Sequence, residues 1–506
     1  MNAHRHHCKI CHILIFLFTS LFIFFNLSVV NAEKIQPKPF QKIESVIQKL
    51  THDGAKIGCK IIYAKNGQTL WAYQPDLPLM PASNNKLLTT AVSLIKLGPD
   101  YRFKTGVYVL NPLVDGVVQG NIYMKGFGDP FLVNEEMWML THELALRGLK
   151  RVTGDIIADD SFFDQIRNPE GWNEDRPPYW YNAEISALSF NFNTVAVHIQ
   201  PDISPGRKAV VRLDPELPCL ELVNEAMTAG KGQKNWTSVQ RIYSEGENLI
   251  KVNGQISMDS PIKRVYRAIK DPTIYTAMAF GSFLKQEGIS FQGKIIKGST
   301  PEDTIPFYIH ESKPLSRIIA DLNKISNNFI AEQMLKTLGA EMEDPPGTHE
   351  KGIKIIKETL TQKGISLDGL ELYDGSGLSP LNRISARIFC DVLFYMANSE
   401  GCGPEYVSSL PISGLDGTLK DRPLNGQIKG TIRAKTGRIR GVSALSGYLW
   451  TIKGEPFIFS ILMNGKQSQI EDFMNSQDRI LSILSTIDKD IEDFLTCLSY
   501  STEHFQ

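Results

Sequence analysis

Ser83-Asn84-Asn85-Lys86 sets a hydroxyl and an amine three residues apart, which puts both on one face of a helix. A serine hydroxyl is a poor nucleophile until a nearby base takes its proton. Lysine can serve as that base when burial and a neighbouring cation lower its pKa from ~10.4 toward working pH. Lys435, in Lys435-Thr436-Gly437, offers such a cation, and Ser326-Asn327-Asn328 offers a second hydroxyl and an amide. At a helix start, Ser83 also lies at the favourable end of the dipole, where its own N–H can help hold an oxyanion. The implied chemistry is acyl transfer through a Ser83 ester. Each short motif alone is common on surfaces and in turns, so order and placement must carry the inference.

Recognisable elements would position these residues. Pro81 and Ser83 suit a helix start, and Leu87, Leu88, Ala91, Leu94 and Ile95 recur at helical spacing behind them. From Ser316 to Met342 the apolar positions predict two consecutive helices, broken near Lys324 to Asn328, with Ser326 at the junction. Strand-like runs at 428–435, 442–450 and 457–463 predict an antiparallel meander with Lys435 ending its first strand, and 469–484 has helical spacing. Ser83 and Ser326 are 243 residues apart. Between them, about 105–311 is a patchwork of short strand-like runs such as 107–110, 121–125 and 195–199, with no fixed-period repeat. Trp172, Pro177, Pro178, Tyr179, Trp180 and Tyr181 form an aromatic patch, read as a packed loop in preference to a sugar-stacking surface.

S-x-x-K, S-x-N and K-T-G together mark class A β-lactamases and penicillin-binding proteins. Within that group the chain resembles the low-molecular-mass class C penicillin-binding proteins, D-alanyl-D-alanine carboxypeptidases and endopeptidases of the penicillin-binding protein 4 type. Beyond the trio, the resemblance rests on Met80-Pro81-Ala82 before the nucleophile, on Gly126-Phe127-Gly128-Asp129-Pro130 and on Asp159-Asp160-Ser161-Phe162-Phe163-Asp164. It continues through Ser186–Asn193, Asp374-Gly375-Ser376-Gly377-Leu378-Ser379, and Leu410–Gly414 with Asp416-Gly417-Thr418-Leu419. These motifs span about 40 to 465.

The resemblance implies an α+β fold: a β-lactamase/transpeptidase-like penicillin-binding domain with two smaller β-rich domains inserted between S-x-x-K and S-x-N. The expected boundaries are 33–104 and 312–486 for the catalytic domain, 105–127 and 209–311 for one inserted domain, 128–208 for a second nested in it, and 487–506 for a tail. It further implies that Ser83 attacks the penultimate D-alanine carbonyl of a peptidoglycan stem peptide, with Lys86 as base and Ser326 relaying a proton to the leaving group. Asn328 would bind the substrate backbone, Lys435 and Thr436 its carboxylate, and the N–H groups of Ser83 and Arg438 the oxyanion. β-Lactam antibiotics would acylate the same serine. The family places an acidic residue near Asp159 and Asp160 toward the side chain of a diamino acid; a satisfied turn acid stays equally open there. Asp374 and Ser376 read as shaping the site. Two departures stand out: Asn327 replaces a common aspartate, and Arg438 replaces a small hydroxyl residue, either binding the terminal carboxylate or crowding the pocket.

The rest narrows the setting. Net charge is −1 over 506 residues with both signs scattered, which argues against a nucleic-acid or anionic-membrane partner. Arg5 and Lys9, an apolar run from Ile13 to Val30, and small residues up to Ala32 predict a cleaved signal peptide over 1–32, hence a periplasmic or otherwise exported protein with peripheral or no membrane association. An uncleaved anchor is the alternative. Cys8-Lys9-Ile10-Cys11-His12 has c-type haem spacing but precedes the apolar run, so no cofactor is expected. Cys59, Cys219, Cys390, Cys402 and Cys497 do not form a disulfide framework, although Cys390 and Cys402 are left open as a pair. Isolated histidines give neither a metal site nor a Ser-His-Asp triad. A β-lactamase or esterase, and a catalytically idle peptidoglycan-binding protein, remain as alternatives.

Overall fold

The computed structural model describes residues 38–172, 178–244, 247–422 and 428–487. The expected signal peptide with its Cys8–His12 motif, Cys497 and the tail from 488 lie outside the described residues, as does Pro177. In chain order, helix α1 (Lys38–His52) leads into strands β1 (Lys56–Tyr63) and β2 (Thr69–Tyr73). A 3-10 turn (Ala82–Asn85) then runs directly into α2 (Lys86–Leu97).

The chain next builds β3 (Lys104–Val109), β4 (Val117–Val118), β5 (Ile122–Gly126), α3 (Asn134–Leu146), β6 (Arg151–Val152) and β7 (Ile156–Asp159). After these come β8 (Thr194–Gln200), β9 (Val210–Asp214), β10 (Leu220–Ala229), β11 (Trp236–Ser244), β12 (Glu247–Ser257) and β13 (Lys263–Ala268). Helix α4 (Pro272–Gln286), β14 (Ser290–Phe291), β15 (Ile295–Lys297) and β16 (Ile305–Glu311) close this region. Helices α5 (Leu315–Ile325), α6 (Asn328–Met342), α7 (His349–Gln362), α8 (Ala386–Ala397) and α9 (Gly403–Ser409) follow. The meander β17 (Ile432–Ile439), β18 (Val442–Trp450) and β19 (Pro456–Asn464) and helix α10 (Ile470–Ser485) complete the described chain.

The meander forms as expected and joins the N-terminal hairpin in one antiparallel sheet, ordered β17-β18-β19-β1-β2. Both faces are covered, so β19 reads as a nearly continuous apolar run. Phe457, Phe459 and Ile461 pack with α1 and α10 through Phe40, Ile47, Phe473 and Leu484. Ile458 and Leu462 alternate to the other face and meet the helical layer through Leu88, Met334 and Phe389.

The inserted segment builds a mixed five-stranded sheet, β15-β7-β5-β3-β16, and three smaller sheets, β14-β6-β4, β13-β8-β9 and β10-β12-β11. The expected boundary at 127/128 does not follow these sheets. β7, placed in the nested unit, pairs in parallel with β5 and β15, whereas β8 from the same expected unit pairs with β9 and β13. Glycine and proline mark where the chain turns but not which distant strand it returns to, and parallel pairing is distant by construction. The cysteines 59, 219, 390 and 402 are free and buried, so Cys390 and Cys402 are not bridged. No helix of the described residues is long and apolar enough to cross a membrane.

Candidate active site

Ser83 lies in the 3-10 turn, just before the α-helix that was expected to begin with it. Side chains three apart eclipse in such a turn, so the S-x-x-K spacing stacks Lys86 over Ser83. Tertiary bonds fix the turn: Asn84 Nδ2 donates to Ser446 Oγ at 2.7 Å, and Asn85 Nδ2 to the Asp374 carbonyl at 2.7 Å. Two glycines let neighbouring segments approach. A Cβ on Gly377, where φ is +81°, would lie 1.8 Å from Ala82 O, and one on Gly437 would lie 2.7 Å from Pro81 O and 3.1 Å from Ser83 N.

Lys86 is fully buried and its Nζ has three neighbours: Ser83 Oγ at 3.0 Å, Asn328 Oδ1 at 2.7 Å and Ser376 O at 2.7 Å. The Asn328 amide is oriented by its Nδ2, which donates to Tyr181 O at 2.9 Å. Both Asn328 Oδ1 and Ser376 O can only accept. A neutral amine therefore gives its two hydrogens to them and keeps its lone pair for the Ser83 hydroxyl. Burial lowers the Lys86 pKa from 10.5 to about 7, against the opposing charges of Asp374 and Glu332.

Ser326 occupies the junction between α5 and α6 in the left-handed region (φ 60°, ψ 41°), a conformation uncommon for a residue with a Cβ. Asn327 caps α6, its Oδ1 accepting from Ile330 N at 3.2 Å. Asn and Asp are equally good N-caps, which accounts for the departure at that position. Lys435 Nζ, buried, donates to Ser326 Oγ at 2.8 Å and to Thr436 O at 2.9 Å. Burial, and then the Lys86 charge, hold Lys435 well below the ordinary lysine range. Thr436 Oγ1 is 2.7 Å from Thr418 Oγ1.

Ser83, Lys86, Ser326, Asn328 and Lys435 thus lie together, and Thr436 joins them through its carbonyl, which accepts from Lys435 Nζ, while its hydroxyl meets Thr418. The side chain of Arg438 leaves this group: its guanidinium lies on Met474 Sδ of α10, at 3.4 Å. Strand alternation explains the direction, because Ile432 and Ala434 on the same face belong to the core beneath α10. Asp160 also lies apart from the trio. Its carboxylate is held by Arg167, Thr273, Ser186 and Gln165, and hydrogen bonds with the Arg167 charge keep its pKa below the usual value despite burial. Asp159 accepts from the backbone N–H of Ser161 and Thr300.

Sequence reasoning missed Glu332, the Tyr181 carbonyl and Thr418. Glu332 is four residues beyond Asn328, so helical spacing alone would have placed both on one face. Among the described residues no group of three or more His, Cys, Asp or Glu side chains could hold a metal ion.

A family model for the D-Ala-D-Ala carboxypeptidase 3 (S13) family matches residues 40–486. The D-alanyl-D-alanine carboxypeptidase of Actinomadura sp. (strain R39) is 33% identical over 440 residues, covering 84% of this chain and 80% of that one. The D-alanyl-D-alanine carboxypeptidase DacB of Haemophilus influenzae is 24% identical over 425 residues, covering 84% and 88%. Penicillin binding protein 4 (dacB) from Haemophilus influenzae, a solved structure, superimposes with a TM-score of 0.76 at 23% identity, over 88% of this chain and 99% of that one, and so shares the fold. The chain belongs to the D-Ala-D-Ala carboxypeptidase 3 (S13) family and is a serine-type carboxypeptidase.

Proposed function

We propose that this chain is an exported D-alanyl-D-alanine carboxypeptidase and endopeptidase that acts on peptidoglycan stem peptides through an acyl-enzyme at Ser83, and that penicillins acylate the same residue. The observation that carries the reading is the buried Lys86 amine, 3.0 Å from Ser83 Oγ, with its two other neighbours able only to accept.

Neutral Lys86 takes the hydroxyl proton as Ser83 Oγ attacks the carbonyl carbon of the penultimate D-alanine. The bond to the terminal D-alanine nitrogen then breaks. Ser326 Oγ already accepts from Lys435 Nζ, so its own hydrogen is free to pass to the leaving amine. Water hydrolyses the ester by the reverse sequence. The oxyanion would rest on the N–H groups of Ser83 and Arg438. β17 is an edge strand whose outer side at Ile432 and Ala434 bonds to Ser413 and Pro411. The same alternation turns the N–H groups of Thr436 and Arg438 to that edge, where an extended peptide can add as a further strand. The substrate carboxylate would meet Lys435, Thr436 and Thr418. In this reading Arg438 contributes its backbone, and Asp160 supports the loop that carries it. Export rests on the signal-like order of residues 1–32.

The test is labelling of purified residues 33–506 with a fluorescent penicillin beside Ser83→Ala. A covalent, heat-stable band lost in the variant supports the reading. An unlabelled but folded wild-type protein overturns it and favours a binding role without catalysis.

A further inference from the structure

Behind the reacting groups lies a buried acid that the acyl-transfer scheme does not use. Glu332, on α6 one turn beyond Asn328, is fully buried. Its Oε1 accepts from Ser376 N at 2.8 Å and Gly375 N at 3.1 Å, and its Oε2 from Gly375 N at 2.9 Å. The carbonyl of that same Ser376 holds Lys86 Nζ at 2.7 Å. One residue, Ser376, therefore separates the acid from the base, and α6 touches both sides of it, Glu332 accepting from the Ser376 N–H and Asn328 from Lys86 Nζ.

The charged surroundings are few. Asp374 is tied down by Gly377 N at 2.7 Å, Ser379 N at 2.6 Å, Asn382 Nδ2 at 2.9 Å and Trp172 Nε1 at 3.0 Å. His349 of α7 places Nε2 3.6 Å from Glu332 Oε2, and Lys336 of α6 is paired with Asp164. Lys435 approaches from β17. With Lys86 and Lys435 charged, Glu332 and Asp374 balance them. Once Lys86 is neutral, the pocket carries an excess negative charge, unless Glu332 takes up a proton. Burial and then the Asp374 charge raise the Glu332 pKa, against its two N–H donors, so the carboxylate and the Lys86 amine titrate together as one coupled pair.

We propose that Glu332 is a positioning residue that sets the charge state and orientation of Lys86 through the backbone of Ser376. The proposal rests on the acyl-serine reading above, and its test separates the two. The second-order rate of fluorescent-penicillin acylation is followed from pH 5 to 9 in wild type, Glu332→Gln and Glu332→Asp. Labelling of the wild type keeps the acyl-serine reading in place whatever the variants do. Removing the carboxylate charge favours neutral Lys86, so in E332Q the acid limb should move down by about one pH unit, with a lower plateau from the disturbed turn. In E332D the charge stays, and the limb should stay with it. A lower plateau with an unmoved limb in E332Q, or a limb that falls equally in E332D, would overturn the proposal. If E332Q does not fold, Glu332→Met removes the same charge from a similar volume and is read the same way.

Discussion

Lys86, proposed as the base, should give acylation a definite dependence on pH. An ordinary lysine with a pKa of 10.5 would be neutral in about one molecule in three thousand at pH 7, which would add about 5 kcal/mol to any step that needs the free amine. With the pKa at about 7, half of the Lys86 amines are free at neutral pH. Acylation should therefore fall to about a fifth of its neutral rate at pH 6 and about a fiftieth at pH 5, along a limb that belongs to the coupled Lys86–Glu332 set. The assay is the stopped-flow or quench rate of fluorescent penicillin at limiting antibiotic, corrected for folded enzyme by circular dichroism. The same depression acts on stability with a definite sign. A lysine whose folded pKa is lowered disfavours the folded state wherever the unfolded chain is protonated. The cost is full below about 7 and is lifted as pH rises toward 10.5. Lys86→Met should thus abolish acylation while losing that part of the wild type's gain in urea stability between pH 7 and 9. An acylation rate that is flat from pH 5 to 8, or one that rises only above pH 9, would refute the base assignment.

Three further outcomes follow from the geometry. Gly437→Ala puts a methyl 2.7 Å from Pro81 O, so overpacking of about 1–3 kcal/mol should lower the urea midpoint and cut acylation tenfold or more; an unchanged rate would show that β17 can shift freely. Arg438→Ala should leave penicillin labelling within about threefold, because the guanidinium lies on Met474, whereas a carboxylate-binding Arg438 would show a large rise in KM for an acyl-D-Ala-D-Ala peptide. Asp160→Ala strands the largely buried Arg167 and should cost about 3 kcal/mol in urea unfolding with labelling of the folded fraction retained; intact stability with a raised KM for diamino-acid peptides would restore the substrate-binding reading.

The trio was legible because its geometry is local or is announced by helix and strand ends. The break between α5 and α6 fell where the apolar stripe lapsed, at Ser326 and Asn327, and the meander showed as strand-like runs parted by Gly- and Lys-containing turns from residue 442 to 463. Three things could not be read this way. The direction of Arg438 depends on which face of β17 is buried beneath α10, and a strand covered on both faces gives no polar side to choose by. The sheets of the insertion depend on partners up to 207 residues apart (311 − 104), as where Lys104 of β3 lies opposite Glu311 of β16. Glu332 was hidden because a charged residue in an apolar helix reads as surface until the N–H groups that hold it are seen.

Those same long-range contacts make the insertion part of the site instead of an appendage to it. Trp172 donates to Asp374, the Tyr181 carbonyl orients the Asn328 amide, and the Ser186 carbonyl accepts from Gln333 at 2.9 Å on the helix that carries Asn328 and Glu332. All three come from the segment between Ser83 and Ser326. A buried polar group without its partner costs about 1–3 kcal/mol, and an amide that loses its orienting bond can flip its nitrogen toward Lys86. Asn328 with nitrogen in place of oxygen would present a donor to a donor and release the amine from the geometry that aims its lone pair at Ser83. The segment that separates the two halves of the trio in sequence therefore carries the contacts that hold those halves in register, and removing the insertion while keeping Ser83, Lys86 and Ser326 should leave a chain that has the motifs but not the base.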